Sequence, residues 1–399
     1  QMNIIEKDKL EVKNGFLGIA VLYGDKKELL PVVQNSNSME YDLVAAIRKV
    51  TATQEKVIGI VSGHDEPSLQ STVGVGPIGE SYSFLKNALD RNYKVVEVSL
   101  TDSTSLNSID TLLIAGAKKP FSDKEKFLID QYLMNGGNVV ALLDSVDVGQ
   151  DLKTSILDLG LSAQLESYGA GIDTSLVLDR SNENASFNQG FMNFIVPYPF
   201  WVKAIKKHFD PSNPIVGKLD SVVLPWASPL RQVPQEGVVA QVLVSSTPNA
   251  WTQSDPFNLT PNLIQGSSEK SQYALAILEK GNFTSYFKGK KSPLGTTAIQ
   301  SSSKPGKLFV VGNSRFAYDR FLGLFPQNLA FVMNAVDDMT MDQSLIGIRS
   351  KSVFELPLEE LSATQRETTK AVGIFLMPAL VILYGIARFF YRKRHKVVL

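Results

Sequence analysis

The chain has 399 residues, a length that suggests two or three domains rather than one. Apolar residues make up 44% and charged residues 20%, a balance typical of a folded protein with a buried core, so disorder over the whole chain is excluded. Forty basic residues balance 40 acidic residues, which leaves no overall positive field for nucleic acid. The absence of cysteine excludes disulfides, thiolate metal sites and a cysteine nucleophile, and we predict no metal and no cofactor.

The first part of the chain alternates strand and helix patterns. Short apolar runs at 57–61, 111–115 and 139–143 are typical of buried parallel strands. Ser122 and Glu125 have the spacing of a capping box and predict the start of a helix. We also predict strands at 16–23 and 95–98 and helices at 41–50 and 80–91. The alternation predicts an α/β domain over 54–180 with a mostly parallel sheet of the flavodoxin-like kind.

The pattern changes over residues 181–306. This segment holds 12 of the 19 prolines and all three tryptophans, Trp201, Trp226 and Trp251. Helices of ordinary length do not tolerate this density of proline, so we predict a β-rich insertion or second lobe with strands at 238–245 and 273–278. The α/β pattern returns over 307–350, with a strand at 308–311 and a helix at 328–339.

The end of the chain predicts a membrane anchor. Residues 371–387 carry no charge, and a helix over 371–390 would span roughly 30 Å, the thickness of a bilayer's hydrocarbon core. The basic tail 391–399 would then be cytoplasmic, and the bulk of the chain would be periplasmic or extracytoplasmic. Four small residues of the predicted helix could pack against a partner helix: Gly373, Ala379, Gly385 and Ala387.

These patterns divide the chain into seven predicted segments. The first 53 residues show no secretion signal and are expected to be the end of an upstream domain whose earlier part is missing. The α/β domain, the β-rich insertion and the returning α/β elements follow. The predicted boundaries are 1–53, 54–180, 181–306, 307–350, 351–370 as a juxtamembrane segment, 371–390 and 391–399.

Two motifs suggest chemistry that their context does not support. Residues 74–79 match the glycine spacing of a dinucleotide fingerprint, but they lie more than ten residues after the preceding strand, and Pro77 removes a backbone donor. The turn after strand 111–115 contains Gly116, Ala117 and Lys118, which offer neither a thiol nor a hydroxyl. Nucleophilic catalysis by cysteine or serine at that turn is therefore excluded, and we predict no catalytic residue.

Two other turns carry polar candidates. His64, Asp65 and Glu66 follow the strand 57–61, at the carboxyl end of a parallel strand where α/β sheets bind ligands. They could contact a ligand or partner, or simply cap neighbouring backbone. Asn313 follows the strand 308–311 and has the same two interpretations.

Several segments, taken in order, resemble the GldG-like family of ABC-transporter auxiliary components, named from gliding motility. The similarity covers 41–43, VIGIVSGHDEP at 57–67, the long stretch 110–144, VVGNSRFA at 310–317, 328–338 and IGIRSK at 346–351, followed by the predicted membrane helix and basic tail. The family usually has a second acid where Arg315 stands here, so a cation-binding role of that turn is not carried over. The resemblance implies a catalytically inactive, amidotransferase-like domain and a partner permease with a cytoplasmic ATPase.

We therefore predict a non-enzymatic, membrane-anchored accessory subunit of a bacterial inner-membrane ABC transporter, coupling an external ligand or partner to the permease. Two alternatives stay open. The first is a membrane-anchored envelope-polymer hydrolase that uses His64, Asp65 or Glu66. The second is a carbohydrate-binding scaffold that uses the tryptophans.

Overall fold

A computed structural model describes most of the chain. The described residues are 2–6, 9–13, 18–30, 39–51, 55–70, 80–101, 106–189, 192–261, 264, 266–302, 304–340, 384–386 and 388. The chain divides into two compact units, Gln1–Val353 and Phe354–Leu399. All the strands and helices named below belong to the first unit, because the second is described only at 384–386 and 388, as helical residues.

The N-terminal residues form two hairpins and a helix. Strands β1 (Met2–Glu6) and β2 (Lys9–Lys13) pair antiparallel, as do β3 (Ile19–Tyr23) and β4 (Lys26–Leu30). Helix α1 (Met39–Thr51) packs on β3 and β4. An ion pair of 3.1 Å between Lys49 and Glu28 joins the helix to the hairpin. This small ββα arrangement covers one face of the two-stranded sheet.

A nine-stranded sheet forms the centre of the molecule. Five of its strands run parallel in the order β6, β5, β7, β8 and β20. Their bounds are β5 (Val57–Val61), β6 (Lys94–Val98), β7 (Thr111–Ala115), β8 (Asn138–Leu142) and β20 (Gly306–Val311). The connections between the first four of these strands contain helices or long loops, as parallel neighbours require.

The remaining four strands of this sheet pair antiparallel. Strand β19 pairs with β20 on one side and with β17 on the other, and it also meets β16, which pairs with β11. Their bounds are β11 (Ala170–Ile172), β16 (Leu230–Gln232), β17 (Val238–Ser245) and β19 (Ala274–Gly281). Strand β19 is therefore the place where the sheet changes from parallel to antiparallel pairing.

Smaller sheets surround this centre. Strands β13, β14 and β15 form a three-stranded antiparallel sheet, whereas β9 pairs with β10 and β12 pairs with β18. Their bounds are β9 (Val146–Val148), β10 (Thr154–Ile156), β12 (Leu176–Leu178), β13 (Asn182–Gln189), β14 (Met192–Ile205), β15 (Ser221–Pro225) and β18 (Trp251–Gln253). The helices of this part are α2 (Ser83–Asp90), α3 (Asp123–Met134), α4 (Ser162–Tyr168), α5 (Asp319–Leu324) and α6 (Pro326–Thr340).

The core lies on both faces of the central sheet. Successive residues of a strand point to opposite faces, so the continuous apolar runs supply both layers. In β7, Leu113 belongs to the buried cluster that includes Leu85 of α2 and Phe331 of α6, whereas Leu112 belongs to the cluster that includes Leu133 of α3. The carboxyl ends of the parallel strands are thereby held at one well-packed edge, from which the candidate site is built.

The predicted transmembrane helix over 371–390 is not supported. Within the described ranges, no helix combines the length and the apolarity needed to cross a membrane. Of the predicted segment, the structure describes only 384–386 and 388, and the other positions lie outside the described residues. That prediction came from the length and lack of charge of residues 371–387 and from the basic tail that follows them.

The predicted fold class is corrected to a mixed α/β structure with several sheets. The prediction of a mostly parallel sheet came from the apolar runs of the first domain. It did not include strands of the proline-rich segment, which join the same sheet. These strands pair antiparallel, because the chain reverses direction between β17 and β19 and again between β19 and β20. The parallel half was expected, whereas the antiparallel half and the separate small sheets were not.

Candidate functional site

Loops from four parallel strands lie side by side along the carboxyl edge of the central sheet. His64, Asp65 and Glu66 follow β5, Gly116 follows β7, Asp144 follows β8, and Asn313 follows β20. In the sheet order, β7 and β8 separate β5 from β20. Three strand spacings amount to roughly 14 Å, so the structure does not bring Asn313 together with His64.

His64 joins the loop after β5 to helix α3. Its Nδ1 lies 3.1 Å from Glu66 Oε1, and its Nε2 lies 3.2 Å from Glu125 Oε1. The imidazole also stacks on the Phe121 ring, with 3.8 Å between the ring centroids. Carboxylates only accept hydrogen bonds, so both ring nitrogens donate when the imidazole is protonated. His64 is therefore buried in internal contacts rather than directed at solvent.

Glu66 stabilises the same loop by accepting backbone hydrogen bonds from residues within it. Its Oε2 accepts hydrogen bonds from the backbone N–H groups of Gly63 (3.0 Å) and His64 (2.7 Å). The His64 carbonyl in turn accepts from the N–H groups of Lys118 and Lys119, at 2.7 and 3.1 Å. The loops after β5 and β7 are thus tied to each other through backbone.

Glu125 serves two contacts at the start of α3. Its Oε2 accepts from the Ser122 N–H at 2.7 Å and from the Ser122 hydroxyl at 2.6 Å, which completes the capping box predicted from the sequence. Burial alone would raise the pKa of Glu125, but the hydrogen bonds from Ser122 and the nearby His64 outweigh it and lower the pKa. The carboxylate is therefore held in its charged form.

Asp65 is the exposed member of the predicted trio. Its side chain lies 2.8 Å from Lys119 Nζ, and both side chains are about three-fifths exposed, at 59% and 60%. Its φ of 58° is in the left-handed region, which non-glycine residues rarely adopt. The backbone thus turns sharply here and leaves the carboxylate in solvent.

A crevice of about 380 Å³ opens beside this loop. It lies next to the carboxyl end of β5, at the point where the chain order reverses between β5 and its neighbours β6 and β7. Open α/β sheets bind ligands at such switch points. The lining combines apolar and polar groups: Ile60, Val61, Ser62, Gly63, Asp65, Glu66, Pro67, Ser68, Leu69, Gln70, Tyr82, Glu97 and Ala115.

The turn after β7 is filled by neighbouring side chains. Gly116 has a φ of 67°, and a Cβ added there would lie 2.6 Å from the Tyr82 hydroxyl and 2.9 Å from Pro67 Cδ. The Tyr82 hydroxyl donates to the Ser314 carbonyl at 3.3 Å. Burial, and secondarily the neighbouring Tyr318, raise the pKa of Tyr82 well above its usual value, so the phenol stays neutral. No side chain larger than hydrogen fits where a nucleophile would be attached.

Asn313 belongs to a buried clasp between the loops after β8 and β20. Asp144 accepts from the Asn313 amide at 3.2 Å, from the Ser314 N–H at 2.9 Å and from the Ser314 hydroxyl. The Asn313 amide also donates to the Pro225 carbonyl at 2.7 Å. Burial raises the pKa of Asp144, an effect that Arg315 and the Ser314 hydrogen bonds reduce. These groups hold the two loops together and are shielded from solvent.

Arg315 stands beside this clasp. Its guanidinium pairs with Asp147 and lies 5.9 Å from the Trp226 ring and 5.8 Å from the Tyr318 ring. Burial would lower the pKa of Arg315, but Asp144, Tyr318 and Asp147 raise it above the usual value. A cation therefore occupies the place where an acid was expected from the family resemblance.

The other sequence candidates fall into two groups. Trp201, Trp226 and Trp251 are all buried, and the first two pack edge to face at 5.9 Å, so they form core rather than a sugar-binding platform. Residues 74–79, Gly373, Ala379 and Ala387 lie outside the described residues. Among the described residues, none lies within 4 Å of a Cβ added to Gly385. The packing role of the small residues stays a prediction. Across the described ranges, His, Asp and Glu form no group able to hold a metal ion.

Sequence reasoning missed Tyr82 and Asp144, which contact the turns it had marked. Asp144 carried a usable signal, because it directly follows the apolar run 139–143. Tyr82 carried none, since its contacts are with residues far away in the chain, such as Ser314.

The chain resembles two known proteins. An uncharacterized protein of Borreliella burgdorferi is 22% identical over 412 residues, which cover 99% of this chain and 77% of that protein. The solved structure of the mmIFT52 N-terminal domain is 15% identical with a TM-score of 0.44. The superposition covers 71% of this chain and 97% of the mmIFT52 chain. The family model of ABC_transp_aux matches residues 55–339, which is most of the chain. The chain therefore belongs to the ABC_transp_aux family, described as an ABC-type uncharacterized transport system.

Proposed function

We propose that this chain is a non-enzymatic accessory subunit of an ABC transporter that binds a ligand or partner segment at the crevice beside β5. Family membership indicates an auxiliary component of an ABC-type transport system and hence association with transporter components. We further propose that the subunit is of the GldG-like type, lies outside the cytoplasm, and contacts a permease that links it to a cytoplasmic ATPase. Gliding motility or envelope export is the proposed output.

The filled turn after β7 is the observation that supports a non-enzymatic role. In an amidotransferase-like domain this turn would present the nucleophile, whereas here Gly116 lies against the Tyr82 hydroxyl and Pro67. The nearby His64 side chain contacts both Glu66 and Glu125 through its two ring nitrogens. Side chains whose polar atoms already have hydrogen-bond partners favour a binding role over acid–base catalysis on a substrate.

The crevice supports the binding part of the proposal. It combines solvent access with a position at the switch point of the sheet, and its floor is the packed end of β5. A ligand seated there would contact the loop 62–70, which the His64 ring ties to α3 and the His64 carbonyl ties to the loop after β7. Binding in the crevice would thus affect the loop 62–70, α3 and the loop after β7.

Affinity purification of the full chain from native membranes in mild detergent, with quantitative mass spectrometry, tests the proposal. We expect a permease and an ATPase in a fixed ratio to the chain. Ser68→Trp places a large side chain at the crevice wall and should reduce this recovery, whereas Ser254→Trp, at another exposed serine, should not. Recovery of the chain without transporter components would contradict the accessory role, and equal recovery with both variants would contradict the crevice as the binding site.

A further inference from the structure

Glu279 lies within β19 with a fully buried side chain. Its relative exposure is 0%, and within the described part of the chain neither carboxyl oxygen has a hydrogen-bond partner. Buried carboxylates are ordinarily paired or hydrogen-bonded, because water is the only other group that stabilises their charge. The surroundings of Glu279 provide neither.

The carboxyl group packs against the turn between α4 and β11. A Cβ added to Gly169 would lie 2.8 Å from Glu279 Oε2, and Gly169 has a φ of 123°, which disfavours any other residue. The Gly169 carbonyl accepts from the Val233 N–H at 2.7 Å, directly after β16. The backbone of this turn therefore closes over the carboxyl group.

Among the residues that the structure describes, the elements around Glu279 supply no compensating cation. Strands β17 and β11 contain no charged residue. The charged residues of α4, β16, β19 and β20 are paired elsewhere, and Tyr168 at the end of α4 donates to Asp130. The pairs are Glu166 with Arg231 at 2.8 Å, Lys307 with Asp338 at 2.9 Å and Lys280 with Asp338 at 3.5 Å.

We propose that Glu279 makes the contact between β19 and the α4–β11 turn depend on pH. The protonated carboxyl group is compatible with the closed turn, whereas the carboxylate requires water and favours a state in which the turn has separated from the strand. Separation would loosen β11 and β16, because β11 follows the turn directly and pairs with β16, which in turn pairs with β19.

The direction and size of the effect follow from linkage. Burial raises the pKa of Glu279 from 4.5 to about 7. A group whose pKa is raised in the closed state stabilises that state below its ordinary pKa, and the stabilisation is lost as the pH rises through the raised value. Between about pH 5.5 and about pH 8.5, the opening equilibrium constant should rise roughly 30-fold.

Hydrogen exchange of the full chain, corrected for the pH dependence of intrinsic exchange, measures this opening. In the wild type, peptides covering residues 169–172 and 230–233 should lose protection by roughly 30-fold between the two pH values. Glu279→Gln, which keeps the shape and cannot ionise, should abolish the pH dependence. Glu279→Met tests the same point without a buried amide, in case the glutamine variant folds poorly.

Glu166→Gln is the matched control, since it removes a glutamate from α4 that is half-exposed and paired with Arg231. It should retain the pH dependence of the wild type. Equal protection of the wild type at both pH values would overturn the proposal. So would a pH dependence that persists in both Glu279 variants.

Discussion

Two pairs of loops leave the carboxyl edge of the same parallel strands, and they differ in how far water reaches their polar groups. The loops after β8 and β20 enclose Asp144 and Asn313 in a buried clasp. The loops after β5 and β7 are also tied together, through the His64 carbonyl, but they leave Asp65 in solvent and a crevice beside it. The same edge thus has one closed side that supports the fold and one open side with a solvent-accessible crevice.

The largest expected effect is at the closed side. Asp144→Ala leaves the Ser314 N–H and hydroxyl without their acceptor, and removes one of the two acceptors of the Asn313 amide. We expect the free energy of unfolding to fall by roughly 3 kcal/mol, because buried donors lose their partner. Urea denaturation of the full chain, followed by tryptophan fluorescence, measures it. A loss as small as that of Asp65→Ala would remove the distinction between the two sides.

The turn after β7 should show the next largest effect. Gly116→Ala places a Cβ in a left-handed backbone and against the Tyr82 hydroxyl, which should cost about 2 kcal/mol. Tyr82→Phe removes that hydroxyl and should recover about 1 kcal/mol of this cost in the double variant. A double-mutant cycle from urea denaturation provides the coupling. Strictly additive effects would show that the hydroxyl does not fill this turn.

Loss of the contact between His64 and α3 should have a smaller effect on stability, and this effect should depend on pH. The lowered pKa of Glu125 means that its carboxylate stabilises the fold above its ordinary pKa of 4.5, and this contribution is lost as the pH falls through the lower folded value. Glu125→Gln should therefore cost about 1 kcal/mol near neutral pH and almost nothing in strong acid. Thermal unfolding across pH measures the difference. A constant difference across pH would indicate that the charge of Glu125 is not involved.

The smallest effect is expected at the exposed ion pair. Lys119→Ala removes the partner of Asp65, but both side chains are well exposed, so the cost should be less than about 0.5 kcal/mol and should vanish at high salt. Urea denaturation at two salt concentrations provides the measurement. A cost comparable to that of Glu125→Gln would place this pair among the structural contacts instead.

The comparison also shows what could be predicted from the sequence. Strands β5 and β7 match the predicted apolar runs 57–61 and 111–115, and the capping box at Ser122 is confirmed, because local patterns carry these features. The long hairpin strands β13 and β14 were not predicted individually, since Pro197 and Pro199 interrupt the usual strand pattern. The turns that hold the candidate residues were found, but their contacts were not.

Contacts between distant residues explain the remaining misses. The clasp joins Asp144 to Ser314, and the filled turn joins Gly116 to Tyr82, pairs that come together only through the strand order. The prediction of a transmembrane helix came from a local pattern, the uncharged residues 371–387 and the basic tail after them. Sequence patterns thus located the edge of the sheet and left the closed and open sides indistinguishable.

The position of β20 has a consequence for how the protein is made. Lys307 N–H donates to the Asn138 side chain, so β8 receives its parallel neighbour from a residue 169 positions later in the chain. At ordinary rates of synthesis, that neighbour leaves the ribosome roughly 10–30 s after β8 does. During this interval one edge of β8 lacks its final partner, and unpaired edges attract other chains. Nascent chains stalled with β20 still inside the ribosome should therefore bind chaperones more strongly than chains stalled after β20 has emerged.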